Sequence, residues 1–225
     1  MTIAIGTAVR DLQLPRRMLT RYRLRMDGGT FRTSQAANRA GRDSTRANRP
    51  LLLVDVDGVI SLFGFPPHLR PDGDWLMVDG ISHLISAGAG AHLRTLSARY
   101  ELVWCTGWEE KANDYLPAPL GLPGPLPHLR FDAAPSGLHA HWKLGAIERH
   151  AGLRPVAWID DAHDGACEDW AASRDAPTLL VSTRPERGLA AEHVAELEAW
   201  ADGLDAEHPD GGATGAGPSG GRGSR

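Results

Sequence analysis

Four short strand-like runs, apolar throughout or in their middle, lie in the central part of the chain and are separated by stretches with helical periodicity. The runs are Leu51–Val54, Leu102–Cys105, Pro155–Ile159 and Thr178–Ser182. A strand that is apolar at every position is buried on both faces, as in a parallel sheet covered by helices. Helices that connect such strands form right-handed crossovers. The pattern therefore predicts an α/β fold with a doubly wound, mostly parallel sheet in three αβα layers.

The segments between the runs predict several helices. Residues 88–99 have leucines in a helix-compatible spacing, a second helix-compatible run starts at Trp108, and a third covers residues 138–150. Proline argues against regular helix between Leu116 and Pro127. The last predicted helix is amphipathic, and its apolar face carries Leu189, Val194, Leu197, Trp200 and Leu204.

Two segments interrupt this alternation. Ser61–Asp79 contains a Gly- and Pro-rich stretch followed by a short apolar segment, Trp75–Val78, and predicts a hairpin or flap. Asn113–His139 is short and Pro-rich. Neither segment is long enough for a folded domain of its own, so we expect one domain over residues 50–204.

The two ends of the chain differ from this middle part in composition. Residues 1–49 contain eleven Arg and three Asp with no Lys or Glu, a net charge of +8, which leaves −12 on the rest of a chain whose net charge is −4. We expect this basic arm to be disordered. It could contact nucleic acid, be a solvated extension, or be upstream sequence from a misplaced start codon. Residues 205–225 are rich in Gly, Ala, Ser and Pro, which cannot form a core, so we expect a disordered tail.

Length and composition favour a globular protein. A chain of 225 residues can bury one substantial core. No apolar run approaches the roughly 20 residues of a membrane-spanning helix. Its two cysteines, Cys105 and Cys167, are too few for a disulfide framework. We therefore expect a cytoplasmic protein that does not bind a membrane.

Polar residues follow three of the predicted strands. Asp55 and Asp57 follow the first, Thr106 follows the second, and Asp160 and Asp161 end the third. Since the carboxyl ends of parallel strands meet at one edge of a sheet, we expect these side chains to converge. Carboxylates that share a pocket raise one another's pKa unless a positive charge lies among them. An all-oxygen set favours Mg²⁺, because zinc prefers His or Cys at ligand spacing and the histidines show no such cluster.

The order of these parts resembles the haloacid dehalogenase (HAD) superfamily of phosphohydrolases. The four motifs of that superfamily occur in their usual order over about residues 50–204. They are an Asp-X-Asp-Gly sequence at Asp55, a strand followed by Thr106, Lys143 near the start of a helix, and a strand that ends in Asp160 and Asp161. The resemblance implies a HAD-like Rossmannoid fold with a minimal cap, and a Mg²⁺-dependent phosphatase.

The resemblance also implies a role for each motif residue. Asp55 would be the nucleophile that forms an aspartyl-phosphate, and Asp57 would act first as general acid and then as general base. Thr106 and the backbone N–H of Gly107 would bind the phosphate. Lys143 would stabilise the negative charge of the nucleophile and of the phosphoryl group.

Mg²⁺ would be held by the Asp55 carboxylate, the Asp57 backbone carbonyl and the Asp160 carboxylate. Asp161 or Asp164 would complete the set directly or through water, and the sequence does not decide between these two. Both could instead cap the next helix. The Asp-X-Asp-Gly sequence taken alone could be an acidic turn, and Lys143 a solvated helix charge.

The short insertions leave the predicted site open. In the HAD superfamily an open site goes with large substrates, such as phosphoproteins or nucleic-acid ends, or with closure by a partner subunit. We therefore expect a phosphorylated substrate, with nucleic acid as a further partner of the basic arm. The alternative function is a non-hydrolytic module that binds phosphate or nucleic acid on a HAD fold. An intact Asp57 argues against it, because binding needs no proton donor.

Overall fold

The structure is a computed structural model that describes residues 49–132 and 139–207. Short 3₁₀ turns lie at Pro67–Leu69, Glu109–Lys111 and Ala140–Lys143. In chain order the strands are β1 (Leu51–Val54), β2 (Ser61–Leu62), β3 (Gly73–Val78), β4 (Ile81–Ser86), β5 (Glu101–Trp104), β6 (Val156–Asp160) and β7 (Thr178–Ser182). The α-helices are α1 (Ala89–Leu96), α2 (Ala112–Tyr115), α3 (Pro117–Leu120), α4 (Leu144–Ala151), α5 (Gly165–Ser173) and α6 (Ala191–Glu207).

A parallel sheet with the strand order β5-β1-β6-β7 forms the centre of the fold. One of its two central strands, β1, is apolar at every position because it is buried on both faces. Leu51 and Leu53 pack into the core on one face, and Leu52 and Val54 pack into the core on the other. The predicted α/β fold with a parallel sheet is therefore confirmed, and its four strands lie within one residue of the predicted bounds at each end.

Helices cover both faces of this sheet. On one face, α1 contributes Leu93 and α6 contributes Leu197 to the core. On the opposite face, α4 contributes Ile147 and α5 contributes Cys167. β1 leads to α1 and β6 leads to α5, so the chain leaves these two adjacent strands towards opposite faces of the sheet. A crevice forms at the carboxyl ends of strands that diverge in this way.

The first insertion is larger than the sequence predicts. The predicted flap segment Trp75–Val78 belongs to β3, but β4 was not predicted. β4 pairs antiparallel with β3 on one side and with β2 on the other, which gives a small sheet with the order β2-β4-β3. Asp79 and Gly80 connect β3 to β4 with positive φ angles of 50° and 82°, as a two-residue hairpin turn requires. The insertion therefore continues past its predicted end at Asp79, and the polar residues of β4 had concealed its strand pattern.

Two helix predictions also need correction. The Pro-rich stretch contains the single helical turn α3, because a proline in the first turn of a helix lacks only an N–H that has no partner there. The helix predicted over residues 138–150 is divided, with a 3₁₀ turn at Ala140–Lys143 leading into α4. Lys143 therefore lies at the junction of the two elements instead of one turn inside a helix.

The two ends of the chain lie mostly outside the described residues. The expectations for the basic arm and for most of the Gly-rich tail fall on residues 1–48 and 208–225, outside the described residues. Helix α6 continues through Glu207, past the predicted start of the tail at Asp205.

Both cysteines are buried free thiols. Within residues 49–132 and 139–207, no helix is long and apolar enough to cross a membrane.

Candidate metal and phosphate site

The strand register brings the predicted site residues to one edge of the sheet. Val54 lies level with Trp104 of β5 and with Ile159 of β6. The backbone N–H of Asp55 then donates to the carbonyl of Ile159 at 3.1 Å. The residues that follow β1, β5 and β6 therefore emerge together, although about 50 positions separate each group from the next in sequence.

Lys143 is buried between two carboxylates. Its Nζ lies 3.0 Å from Asp55 Oδ1 and donates to Asp160 Oδ2 at 2.7 Å. The exposed fractions of Lys143, Asp55 and Asp160 are only 4%, 7% and 1%. The other oxygen of Asp160 accepts a hydrogen bond from the backbone N–H of Ala162 at 3.0 Å. The alternative of a solvated helix lysine is therefore wrong for Lys143.

Burial and neighbouring charges act in opposite directions on the pKa values of Asp55 and Lys143. It raises the pKa of Asp55 to about 7, with Lys143 lowering and Asp160 further raising it. Burial also acts to lower the pKa of Lys143, but the two carboxylates outweigh it and raise that pKa above its usual range. One ammonium is thus shared by two carboxylates, and Asp55 remains poorly stabilised in its charged form.

Asp161 adds a third carboxylate. One oxygen from each of Asp55, Asp160 and Asp161 can be chosen so that all three lie within 4.8 Å of one another. Burial and then the charge of Asp160 raise the pKa of Asp161 to about 6. Three carboxylates around one ammonium leave an excess of negative charge. Such an all-oxygen donor set fits a hard divalent cation such as Mg²⁺.

Asp164 has a different position. It caps the N-terminus of α5, where its Oδ1 accepts a hydrogen bond from the N–H of Cys167 at 3.2 Å. Its Oδ2 lies 2.6 Å from His141 Nδ1, and this hydrogen bond is the main reason that the pKa of Asp164 falls to about 2. Of the two residues that the sequence left open, the structure places Asp161 in the carboxylate cluster and Asp164 at the helix cap.

Thr106 and Gly107 follow β5 at the same edge of the sheet. Thr106 is 1% exposed, and its Oγ1 accepts a hydrogen bond from the N–H of Trp108 at 3.3 Å. Gly107 is exposed beside it. A hydroxyl and the backbone N–H of the next residue are groups that can together bind one oxygen of a phosphate group.

Asp57 differs from Asp55 in its surroundings. Its side chain is 49% exposed. Its Oδ2 accepts a hydrogen bond from Trp108 Nε1 at 2.9 Å, and its Oδ1 lies 3.5 Å from His83 Nδ1. Sequence reasoning missed His83, because it is one of ten histidines and belongs to no motif. Only the pairing of β4 with β2 brings it to the site.

Gly58 leaves no room for a side chain. Its φ is +74°, and an added Cβ would lie 2.2 Å from Asp161 Cγ. We expect Gly58→Ala to cost about 1–2 kcal/mol in backbone strain. It should also displace Asp161, and a shift of about 1 Å at a reacting site can lower the rate about 100-fold.

Gly80→Ala is the matched control, because Gly80 has a φ of +82° and an added Cβ there would have no neighbour within 4 Å. Urea unfolding should show a similar loss of stability from backbone strain in both variants. Only Gly58→Ala should weaken Mg²⁺ binding, measured by calorimetry. Equal Mg²⁺ affinity in the two variants would show that Asp161 does not contribute to the site.

Comparison with other proteins adds little to this geometry. No family model matches the chain, and no curated protein does. Among solved structures, the chain is similar to a hypothetical protein from Xanthomonas campestris, with 17% identity over 74% of this chain and 92% of that one. The TM-score is 0.38. This likeness assigns no activity and no site residue.

Proposed function

We propose that the protein is a Mg²⁺-dependent phosphatase of the HAD type, which hydrolyses a phosphomonoester through an aspartyl-phosphate. The observation that carries this proposal is the buried Asp55 carboxylate, which lies 3.0 Å from Lys143 and within the carboxylate cluster of Asp160 and Asp161. An acidic turn has no need of a buried lysine. A nucleophile that must approach an anionic phosphate does need positive charge around it.

In the first step, an Asp55 oxygen attacks phosphorus and the bond from phosphorus to the leaving oxygen breaks. Lys143 offsets negative charge on the nucleophile and on the transferring group. The Thr106 hydroxyl and the Gly107 N–H bind a phosphate oxygen and keep the group aligned for in-line attack. These contributions are electrostatic and positional, which is what phosphoryl transfer requires of a protein.

Asp57 moves the protons in both steps. It first protonates the leaving oxygen. It then accepts a proton from the water that attacks phosphorus, while the bond to Asp55 breaks and frees the carboxylate. The greater exposure of Asp57 suits this role, since its carboxylate must reach both the leaving group and water.

The residues that would hold Mg²⁺ are Asp55, Asp160 and Asp161 through their carboxylates, together with the Asp57 backbone carbonyl. When bound, the cation would offset the charge of the carboxylates and of the phosphoryl oxygens. The donor set suits it because every ligand is an oxygen.

The proposed substrate is a phosphorylated molecule, and it can be as large as a phosphoprotein or a nucleic acid with a phosphorylated end. The small three-stranded sheet β2-β4-β3 is the largest insertion within the described residues. It is too small to form a separate cap domain. Support for a large substrate comes from this limited cover.

Metal removal tests the proposal. The purified protein should hydrolyse p-nitrophenyl phosphate with Mg²⁺, lose the activity in EDTA, and regain it when Mg²⁺ is restored. Asp161→Asn should raise the Mg²⁺ concentration needed for half-maximal activity about tenfold or more. Asp164→Asn should not, because Asn also caps a helix well.

Two outcomes would contradict the proposal. Hydrolysis that is unaffected by EDTA would show that the reaction does not require a metal ion. Phosphate binding by the wild-type protein without any turnover, together with steeply salt-dependent binding to RNA or DNA, would instead favour the non-hydrolytic module.

A further inference from the structure

Two residues from separate segments contact the Asp57 carboxylate, one at each oxygen. Trp108 Nε1 donates to Oδ2 at 2.9 Å, and His83 Nδ1 lies 3.5 Å from Oδ1. The two rings also contact each other edge to face, with centroids 4.7 Å apart and planes at 72°. A half-exposed carboxylate that would otherwise rotate freely is therefore bounded on both sides.

His83 reaches Asp57 through the hairpin. After β1 the chain turns back, and the N–H of Gly58 donates to the carbonyl of Ser61 at 2.8 Å. Ser61 pairs with Ile85 of β4, so that Ser61, Ile85 and His83 share one face of the small sheet. The buried Ser61 hydroxyl lies 2.9 Å from this same Nδ1 of His83 and fixes the ring, so the close hydrogen bond of Nδ1 is with Ser61 and its 3.5 Å approach to Asp57 Oδ1 is a longer polar contact.

Trp108 is fixed from the other side. It follows β5, and its backbone N–H donates to the Thr106 hydroxyl at 3.3 Å. Its indole ring packs against the same core cluster as β1 and α1. An indole N–H can only donate, so it holds a carboxylate oxygen in one orientation.

We infer that Trp108 and His83 are positioning residues, which hold the Asp57 carboxylate where it exchanges protons with the leaving oxygen and with water. This inference rests on the proposed phosphatase function. General acid catalysis needs the donor within hydrogen-bond reach of the atom that it protonates, and an unrestrained carboxylate spends little time there. The hairpin thus completes the site as well as covering it.

The effect depends on the leaving group. When the bond from phosphorus to an alkoxide breaks, the strongly basic oxygen must take the proton of Asp57. A p-nitrophenolate leaves as a stable anion and needs no proton. Loss of Asp57 positioning should therefore reduce kcat/KM for alkyl phosphates more than for p-nitrophenyl phosphate, whereas general damage to the site would reduce both alike.

The test compares propyl phosphate with p-nitrophenyl phosphate. Trp108→Phe keeps an aromatic ring and removes the N–H, and its kcat/KM should fall about tenfold more for propyl phosphate than for the aryl ester. Trp75→Phe is the matched control, because Trp75 is an exposed residue of β3. This control should leave both values unchanged.

His83 provides a second test that does not depend on the folding of the Trp108 variant. His83→Asn keeps a hydrogen-bonding nitrogen near the position of Nδ1, whereas His83→Leu does not. The Asn variant should retain about three times more activity towards propyl phosphate than the Leu variant, with little difference towards p-nitrophenyl phosphate.

The outcomes separate this inference from the function on which it rests. An active wild-type protein whose variants lose both substrates equally, or neither, would overturn the positioning roles and leave the phosphatase intact. A wild-type protein that hydrolyses neither ester would overturn both. An activity that survives in Asp55→Asn would do the same, because Asp57 would then have no covalent intermediate to serve.

Discussion

Asp55→Asn should abolish the proposed phosphatase activity while leaving the folded protein at least as stable as the wild type. The amide is no nucleophile towards phosphorus, and removal of a nucleophile lowers kcat by about 10⁴-fold or more. The shape of the side chain is kept. The loss of activity would therefore report on chemistry and not on folding, as thermal unfolding of the variant would verify.

The stability part of this expectation comes from the pKa of Asp55. Burial raises it from 3.8 to about 7, so the folded metal-free protein binds this proton more tightly than the unfolded chain does. Between these two values the folded state holds the proton and the unfolded state has lost it, so the contribution of Asp55 to stability falls as the pH rises. An Asn side chain stays neutral throughout that window.

Urea unfolding in EDTA measures this difference. The free energy of unfolding of Asp55→Asn, relative to that of the wild type, should rise by about 1–3 kcal/mol as the pH increases from 4 to 8. Added Mg²⁺ should remove most of this advantage, because a bound cation stabilises the ionised wild-type cluster. A variant that loses stability relative to the wild type as the pH rises would show that the pair with Lys143 outweighs the burial of Asp55.

Lys143→Met should lose both stability and activity. It leaves the buried carboxylates of Asp55 and Asp160 without their shared ammonium, and removal of one partner from a buried ion pair costs about 3–5 kcal/mol. The missing charge should also lower kcat by about 10²–10³-fold. The stability loss should shrink at acidic pH, where the Asp55 carboxyl, whose pKa burial raises, takes up a proton.

Lys111→Met is the matched control. Lys111 also pairs with a carboxylate, that of Asp79, but both side chains are about half exposed. Exposed ion pairs contribute little to stability, so this variant should unfold at the same urea concentration as the wild type and keep its activity. If Lys143→Met were as stable and as active as Lys111→Met, the buried ion pairs of Lys143 with Asp55 and Asp160 would have no part in the site.

Mg²⁺ should restore stability to Lys143→Met more than it restores activity.

Local sequence was sufficient for the sheet and for the residues at its edge. Four runs with consecutive apolar residues identify the strands, because the central positions of a strand that is covered on both faces are apolar. The polar residues that end such runs must then lie at one edge, since parallel strands share a direction. Asp55, Thr106 and Asp160 were found in this way, and none of them required knowledge of packing.

The surroundings of each residue were beyond local sequence. A lysine near the start of a helix has the same pattern whether it is solvated or buried, and only the fold places Lys143 between two carboxylates. Asp161 and Asp164 are three residues apart. The direction in which the chain leaves β6 sends one into the cluster and the other to the cap of α5.

The Asp-X-Asp pair shows the same division. Its place at the end of a buried strand follows from the sequence, because the apolar run before it requires a strand there. The different environments of Asp55 and Asp57 come from residues far along the chain, namely Lys143 for the first and His83 with Trp108 for the second. Burial, charge neighbours and hydrogen bonds arise from long-range packing. They determine the ionisation of Asp55 and the atoms that each of the two carboxylates contacts.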